Sequence, residues 1–192
     1  MNAFGFLTAE RPVRWHKAVS SFDGAGERLA SRLRGKLWAD ALFYSATAAA
    51  EHGIGWHLVA LLTALRGRPR RAAILSAGLL AESLVVDVAL KSAFGRGRPE
   101  VDLNHRFALR RPRSASFPSG HASAAAFAST YLATPNNAPV VASAAAVVAW
   151  SRVHVGVHHP SDVAGGLVVG TVLGAFARLV HKKWPEPERH RG

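Results

Sequence analysis

Two long stretches of this chain carry no Lys, Arg, Asp or Glu: residues 114–151 and residues 163–177. Uncharged runs of this length belong out of water, in a protein core or in a bilayer. The charges that do occur are gathered into blocks between the apolar runs. Lys and Arg number 24 against 12 for Asp and Glu, a net charge of +12. In a soluble protein that excess would point to nucleic acid. Here 49% of the residues are hydrophobic and the cations sit between apolar segments, the pattern of a membrane protein whose loops meet anionic lipid or anionic substrate. The mean hydropathy of +0.09 is low for an integral protein. A polar N-terminal segment, a polar tail and Ala-rich helices account for that. At 192 residues the chain has room for one domain. Without cysteine it has neither disulfides nor thiol chemistry. Residues 1–9 lack the basic start and apolar core of a signal peptide, so none is expected. Arginine far outnumbers lysine and alanine is abundant, the composition of a GC-rich genome such as an actinobacterial one.

The pattern predicts an all-α integral membrane helical bundle of about five to six spans with an N-terminal amphipathic helix. Residues 1–36 read as a surface segment. Trp15, Val19, Phe22, Leu29 and Leu33 recur at helical spacing over residues 13–34, with a break expected at Asp23-Gly-Ala-Gly26. This helix lies on the bilayer surface or is simply solvated. Residues 37–183 read as the transmembrane domain. Residues 37–50 and 54–65, interrupted by Glu51-His-Gly53, form one long broken span or a surface segment followed by a short span. A basic loop at residues 66–71 leads to the second span, residues 72–94, which carries Glu82 and Asp87. Asp87 stands four residues before Lys91, so the two should pair along one helix face. Glu82 faces a polar interior seam or serves function. A long basic loop, residues 95–117, precedes the third span at 119–134. The fourth covers 139–150, and the fifth runs from 159 to about 180, with Ser161 or Asp162 as its N-cap. Gly166, Gly170 and Gly174 make a smooth stripe that favours close helix packing and would permit a homodimer. Residues 184–192 read as a disordered tail. Trp15, Trp38, Trp56, Trp150 and Trp184 lie near span ends, as interfacial anchors do.

Three polar signatures punctuate the apolar runs. The first is Lys91, six residues, then Arg98-Pro99. The second is Pro118-Ser119-Gly120-His121. The third is Ser151-Arg152, five residues, His158, three residues, Asp162. The second span ends at the first signature, the third begins at the second, and the fourth and fifth meet at the third. With antiparallel neighbours all three gather at one membrane face. Phosphoryl transfer needs cations on the equatorial oxygens, an in-line nucleophile and a proton for the leaving oxygen. Lys91, Arg98 and Arg152 can supply the cations. Ser119 and the N–H groups of Ser119 and Gly120 stand at a helix start, where anions bind well. Asp162, four residues after His158, can accept from one ring nitrogen and leave the other neutral and nucleophilic. His121 then acts as general acid toward the leaving alkoxide and general base toward water. No residue set reads as a metal cage, and no cofactor is expected.

These signatures resemble those of the type-2 phosphatidic acid phosphatase superfamily, K-x6-R-P, P-S-G-H and S-R-x5-H-x3-D, and every defining position matches. The resemblance implies a membrane enzyme that hydrolyses a phosphomonoester or pyrophosphate of a glycero- or polyprenyl lipid through a phosphohistidine, without metal. It implies His158 as nucleophile, His121 as acid/base and Asp162 as orienting carboxylate. Lys91, Arg98, Ser119, Gly120 and Arg152 become phosphate ligands. Expected substrates are phosphatidic acid, phosphatidylglycerol phosphate, polyprenyl pyrophosphate and polyprenyl-phosphoryl sugar phosphates such as decaprenylphosphoryl phosphoribose. The GC-rich composition favours a polyprenyl carrier. The apolar spans argue against the soluble branches of the superfamily. Its common membrane members have six spans, against about five read here.

The remaining charges read more plainly. Arg96, Arg106, Arg110, Arg111 and Arg113 are headgroup or substrate-steering cations. His154 is structural, His159 touches substrate or packs, and His105 is solvated. Two rival classes fit the charge: a non-catalytic scaffold binding anionic lipid, and a nucleic-acid binder using the +12 charge. Neither needs Asp162, so the expected partners are a lipid phosphate and membrane lipids, and no nucleic acid. The expected location is the plasma membrane, multi-pass. The N-terminal helix and the long basic loop put the site on the cytoplasmic face by the positive-inside rule. The loop at 66–71 and the family resemblance weigh for the opposite face.

Overall fold

The computed structural model describes residues 17–100 and 112–186. Their regular structure is helical throughout: α1 (Lys17–Leu33), α2 (Leu37–Ala49), a short 3₁₀ turn (Glu51–Gly53), α3 (Ile54–Leu65), α4 (Pro69–Ser83), a π-helical continuation (Leu84–Leu90), α5 (Lys91–Phe94), α6 (Gly120–Leu132), α7 (Ala138–His154) and α8 (Pro160–Lys183). Proline starts several of them. Pro69 and Pro160 each occupy the first helical turn, where the missing N–H costs nothing. Gly95 (φ 55°) ends α5, and Gly156 (φ 70°) turns the chain between Arg152 and His158. Both turns need the left-handed conformation that glycine reaches without strain.

The charge-free run becomes the centre of the bundle. Helix α6 buries Ala122, Ser123, Ala125, Ala126, Phe127 and Ala128, among others, and is flanked by α4, α7 and α8. Small residues let α8 lie almost against its backbone. A Cβ on Gly170 would stand 2.0 Å from the Ser123 carbonyl oxygen, and one on Gly166 would stand 2.4 Å from that of Ser119. Phe127 fills the notch that Gly78 leaves on α4, where a Cβ would sit 2.2 Å from the ring. The glycine stripe is therefore consumed inside the chain. It offers no smooth face to a second copy, which removes the surface on which the homodimer expectation rested.

Among the described residues, two helices are long and apolar enough to cross a membrane, by length and composition: Pro69–Phe94, with 26 residues, and Pro160–Lys183, with 24. Leu58, Leu62, Leu80, Leu84, Val168 and Phe176 point outward from the bundle, each about half exposed or more. Such a side-chain coat suits lipid rather than water. Helices α3, α6 and α7, with 12, 13 and 17 residues, are shorter than the ~20 a full crossing takes. The first expected span is divided by the turn at Glu51–Gly53, and the third starts only at Gly120. Of the expected five to six spans, two are helices of crossing length, with shorter apolar helices before and between them.

Several local expectations change. Helix α1 is continuous through Asp23-Gly-Ala-Gly26, because these residues dock it onto the bundle. Asp23 is buried, and a Cβ on Gly26 would meet Pro160 at 2.4 Å. At its other end Arg34 pairs with Glu27 and donates to the carbonyls of Val153 (2.8 Å) and His154 (2.7 Å). The N-cap of α8 is His159, with Asp162 at the third helical position reaching back to the His159 N–H at 2.7 Å. That is the reciprocal capping box, displaced from the expected Ser161 or Asp162 cap by Pro160. Trp38 and Trp184 are exposed, whereas Trp56 and Trp150 pack against the core. The start of the expected disordered tail is tied down. The Glu186 carboxylate accepts from the N–H groups of Arg70 (3.2 Å) and Arg71 (2.6 Å) at the start of α4. Trp15, the helix before residue 17, His105, Arg106, Arg110, Arg111 and the tail beyond 186 lie outside the described residues.

The α6–α8 contact gives a direct test. Gly170→Ala forces a methyl group onto backbone, an overpacking that costs about 2 kcal/mol. The detergent-purified variant should melt well below the wild type, whereas Val168→Ala on the outward face of α8 should leave the thermal midpoint nearly unchanged.

Candidate active site

One cavity of 410 Å³ gathers residues from all three signatures. Lys91 and Arg98 reach it from the first, Gly120 and His121 from the second, and Arg152 and His158 from the third. The convergence expected from alternating helix directions is present in three dimensions. Both imidazoles line the same space.

The first signature is delivered by the π-helical stretch. Asp87, within it, accepts from Ser83 Oγ (3.1 Å) and from Lys91 Nζ (2.5 Å), which bears out the expected pair. Lys91 Nζ is thereby held beside Gly120, 3.9 Å from where a Cβ would project. The chain then turns at Gly95. Arg98 is lashed to the segment before α6: Nε donates to the Ser114 carbonyl (3.0 Å) and Nη2 to that of Ala115 (3.3 Å). Its Nη1 donates to the Val157 carbonyl (2.8 Å) and lies 3.3 Å from His158 Nε2. Arg152 is 5% exposed and hydrogen-bonds Thr47 of α2, while its Nε has no hydrogen-bond partner. A buried guanidinium edge left unsatisfied on a cavity wall is an anion site waiting for its oxygens.

The His158 ring is ordered from behind. His158 is 3% exposed and its Nδ1 lies 3.7 Å from Asp162 Oδ2. That is too long for a hydrogen bond, and such contacts tighten once substrate is bound. The Nε2 atom faces Arg98 across the cavity, the arrangement in which Nδ1 keeps its proton and Nε2 keeps a lone pair. Burial pushes the His158 pKa down to about 4 against the pull of Asp162, and the neighbouring charges of Arg98 and Arg152 add to the fall. The shift favours the neutral ring at neutral pH.

Asp162 is fully buried and does not touch the cavity. Its Oδ2 accepts from the Ser116 hydroxyl, the His159 N–H (2.7 Å) and, at 3.1 Å, faces His159 Nδ1. Its Oδ1 accepts from Arg96 (2.5 Å). Its backbone carbonyl accepts from the Ser119 N–H at 3.0 Å. Ser119 departs from expectation on that account. It is buried, its N–H is committed to Asp162, and its Oγ caps the Ala122 N–H at 3.5 Å. Gly120, not Ser119, lies on the cavity wall. Of the two readings of His159, the structure fits the structural one: it caps α8 and does not line the cavity. His154 sits deep beside α2, bonded through Nε2 to Asp40 at 2.8 Å and packed on Phe43.

One residue escapes the sequence reading. Arg96, expected among lipid headgroups, is 9% exposed and bound to two carboxylates. Only its place inside the first signature could have flagged it. Glu82 is buried on the cavity wall with Oε1 unpartnered, so the polar seam expected of it opens onto the site itself.

The His158 environment fixes the sign of a pH effect. An imidazole with its pKa near 4 gives up its free lone pair only as the pH falls toward that value. After correction for substrate ionisation, kcat/KM should hold from pH 7 down to about 5 and fall below that. Asp162→Asn removes the group that raises this pKa, so its acid limb should move to still lower pH while kcat drops by about 10²-fold or more.

Comparison with known proteins agrees with this geometry. The family model of the PAP2 superfamily matches residues 71–186. Decaprenylphosphoryl-5-phosphoribose phosphatase of Mycobacterium tuberculosis is 35% identical over 134 residues, covering 68% of this chain and 73% of that protein. The putative undecaprenyl-diphosphatase YbjG of Escherichia coli is 36% identical over 105 residues, 53% of this chain and 52% of its own. Among solved structures, the transmembrane PAP2-type phosphatidylglycerolphosphate phosphatase of Bacillus subtilis superposes with a TM-score of 0.69 at 23% identity, over 90% of both chains. LpxE of Aquifex aeolicus gives 0.65 at 23% identity, over 79% of this chain and 91% of that one. With its signatures assembled on that fold and a family model matched over most of the chain, the protein is a lipid phosphatase belonging to the PAP2 superfamily.

Proposed function

We propose that the protein is a multi-pass plasma-membrane enzyme that removes a terminal phosphate from a lipid phosphomonoester or diphosphate through a phosphohistidine on His158. The observation that carries this reading is the gathering of Lys91, Arg98 and Arg152 with His121 and His158 on the wall of one cavity, where Arg98 Nη1 lies 3.3 Å from the His158 Nε2. In the first step Nε2 attacks phosphorus in line with the leaving oxygen. The N–P bond forms as the P–O bond breaks, and His121 gives its proton to the lipid alkoxide or phosphate. The three cations and the Gly120 N–H bear the charge on the equatorial oxygens. In the second step His121 takes a proton from water, the water oxygen attacks phosphorus, and His158 leaves. Inorganic phosphate departs and both histidines return to their starting states. Asp162 holds the His158 ring throughout. Residues 37–183 form the phosphatase domain of about five crossings, counting the short helices α3, α6 and α7, with α1 docked at the active-site face.

A narrower reading has specific support. The M. tuberculosis relative, at 35% identity over 68% of this chain, is named for a polyprenyl-phosphoryl sugar phosphate. A substrate of that kind presents a phosphomonoester on a sugar tethered to a long isoprenoid, and the outward apolar coat of α3 and α4 offers that isoprenoid a path beside the cavity.

The test is phosphate release by detergent-purified protein from a panel of phosphatidic acid, phosphatidylglycerol phosphate, a polyprenyl diphosphate and a polyprenyl-phosphoryl phosphoribose. Turnover should survive EDTA and be inhibited by vanadate, which mimics five-coordinate phosphorus. His158→Ala should lose at least about 10⁴-fold in kcat while keeping its fold. Wild-type activity in that variant would refute the assignment, and the preferred member of the panel names the substrate class.

A further inference from the structure

Among the described residues, Arg96 is the buried arginine beside the site that does not line the cavity. It instead joins three elements behind it. Nη1 donates to Asp162 Oδ1 at 2.5 Å and to Ser161 Oγ at 2.7 Å. Nη2 donates to Asp23 Oδ2, on α1, at 2.7 Å. Asp23 completes the link by accepting from the Ser161 N–H at 2.8 Å and the Ser161 hydroxyl at 2.9 Å. The Arg96 backbone takes part as well, its carbonyl accepting from the Ser116 N–H at 2.8 Å, and Ser116 Oγ donates to Asp162 Oδ2.

These bonds fix the aim of the Asp162 carboxylate. An aspartate has two side-chain torsions, and its two oxygens here are gripped from opposite edges. Arg96 holds Oδ1, while Ser116 and the His159 N–H hold Oδ2, which is the oxygen facing His158 Nδ1. With Arg96 removed, Oδ1 loses its cation. Asp162 and Asp23 then become buried carboxylates without their shared counter-charge, and Asp162 would reorient or draw in water.

We propose that Arg96 is a positioning residue of the hydrolysis, and that Asp23 makes the N-terminal helix a working part of the active site by holding Arg96 on Asp162. The chain of contacts runs from α1 through Asp23, Arg96 and Asp162 to the His158 ring. This rests on the assignment of His158 as nucleophile and extends it to an unspecified position of the first signature, Arg96, and to Asp23 outside all three. Arg96 acts through Asp162 and meets no substrate oxygen, so its loss should slow the attack while leaving phosphate binding alone.

The full-length protein in detergent tests this, using whichever lipid of the panel the wild type turns over fastest. Arg96→Met, Arg96→Lys, Asp23→Asn and His158→Ala are compared for kcat and KM, with inorganic phosphate as a competitive probe of the cation cluster. Arg96→Met should lower kcat by about 100-fold, the upper range for loss of a group that orients a reacting ligand. KM and the inhibition constant of phosphate should stay within about threefold, since Lys91, Arg98 and Arg152 are untouched. Arg96→Lys, which can still reach Asp162 Oδ1 with one ammonium, should recover much of the loss. Asp23→Asn keeps an oxygen for the Ser161 N–H but not the charge for Arg96, and should lower kcat by about tenfold.

Arg96→Met retaining more than half of the wild-type kcat would overturn the proposal. So would a KM and phosphate constant that rise in step with the loss, since Arg96 would then be a phosphate ligand. If Arg96→Met and Arg96→Lys fail to fold, Asp23→Asn decides, and an unchanged kcat there overturns the proposal. An active His158→Ala would instead bring down the phosphohistidine reading and this proposal together. An inactive His158→Ala beside an active Arg96→Met would bring down the role of Arg96 alone.

Discussion

The architecture turns on one carboxylate sealed away from water. Asp162 is fully buried, and a buried anion persists only if donors surround it. Here the donors come from separate segments: Arg96 from the loop after α5, Ser116 from the segment before α6, and the cap of α8 itself. The Asp162 backbone carbonyl adds the Ser119 N–H. A single residue of the third signature therefore ties down the loops that carry the first and second. Removing one partner from a buried ion pair costs about 3–5 kcal/mol. The same contacts that stabilise the active-site end of the bundle thus hold the catalytic groups in register.

Beneath that end, contact between α6 and α8 sets the distance over which the register must hold. Gly166 lies against the Ser119 carbonyl and Gly170 against that of Ser123. With the two backbones this close, the first turn of α6 and the first turn of α8 are fixed relative to each other. Gly120 and His121 then face His158 without any flexible linker intervening. Arg152 arrives on α7, and its guanidinium is steadied by Thr47 on α2, so the divided first span also contributes a support.

What could be read from the chain beforehand was the chemistry and the helical class. Lys91, Arg98, His121, Arg152, His158 and Asp162 are residue types that phosphoryl transfer demands, and their spacing to span ends placed them together. Asp87 and Lys91 were legible because four residues along one helix is a local relation. The misread features depend on distant partners. Arg96 meets residues 66 and 73 positions away in sequence, so its loop setting suggested solvent. Asp23-Gly-Ala-Gly26 looked like a break because its composition favours turns, and tertiary docking overrode that preference. The glycine stripe was correctly read as a packing surface, but its partner helix had no signal in the sequence. Helix length was the part misjudged, because hydropathy counts apolar residues, whereas Glu51–Gly53 and the late start at Gly120 shorten the helices that carry them.

The π-helical stretch Leu84–Leu90 has a consequence for how this chain can vary. A π turn bonds i to i+5 and so holds one residue more than an α turn. Deleting one residue there would let the segment close to ordinary α winding with the turns beyond it still in register, whereas deleting one from the α-helical part of the same rod would turn everything beyond it by about 100° around the axis. Lys91 would keep its place beside Gly120 in the first case and leave it in the second. The surplus residue is slack that this rod can lose; its neighbours toward Pro69 are not.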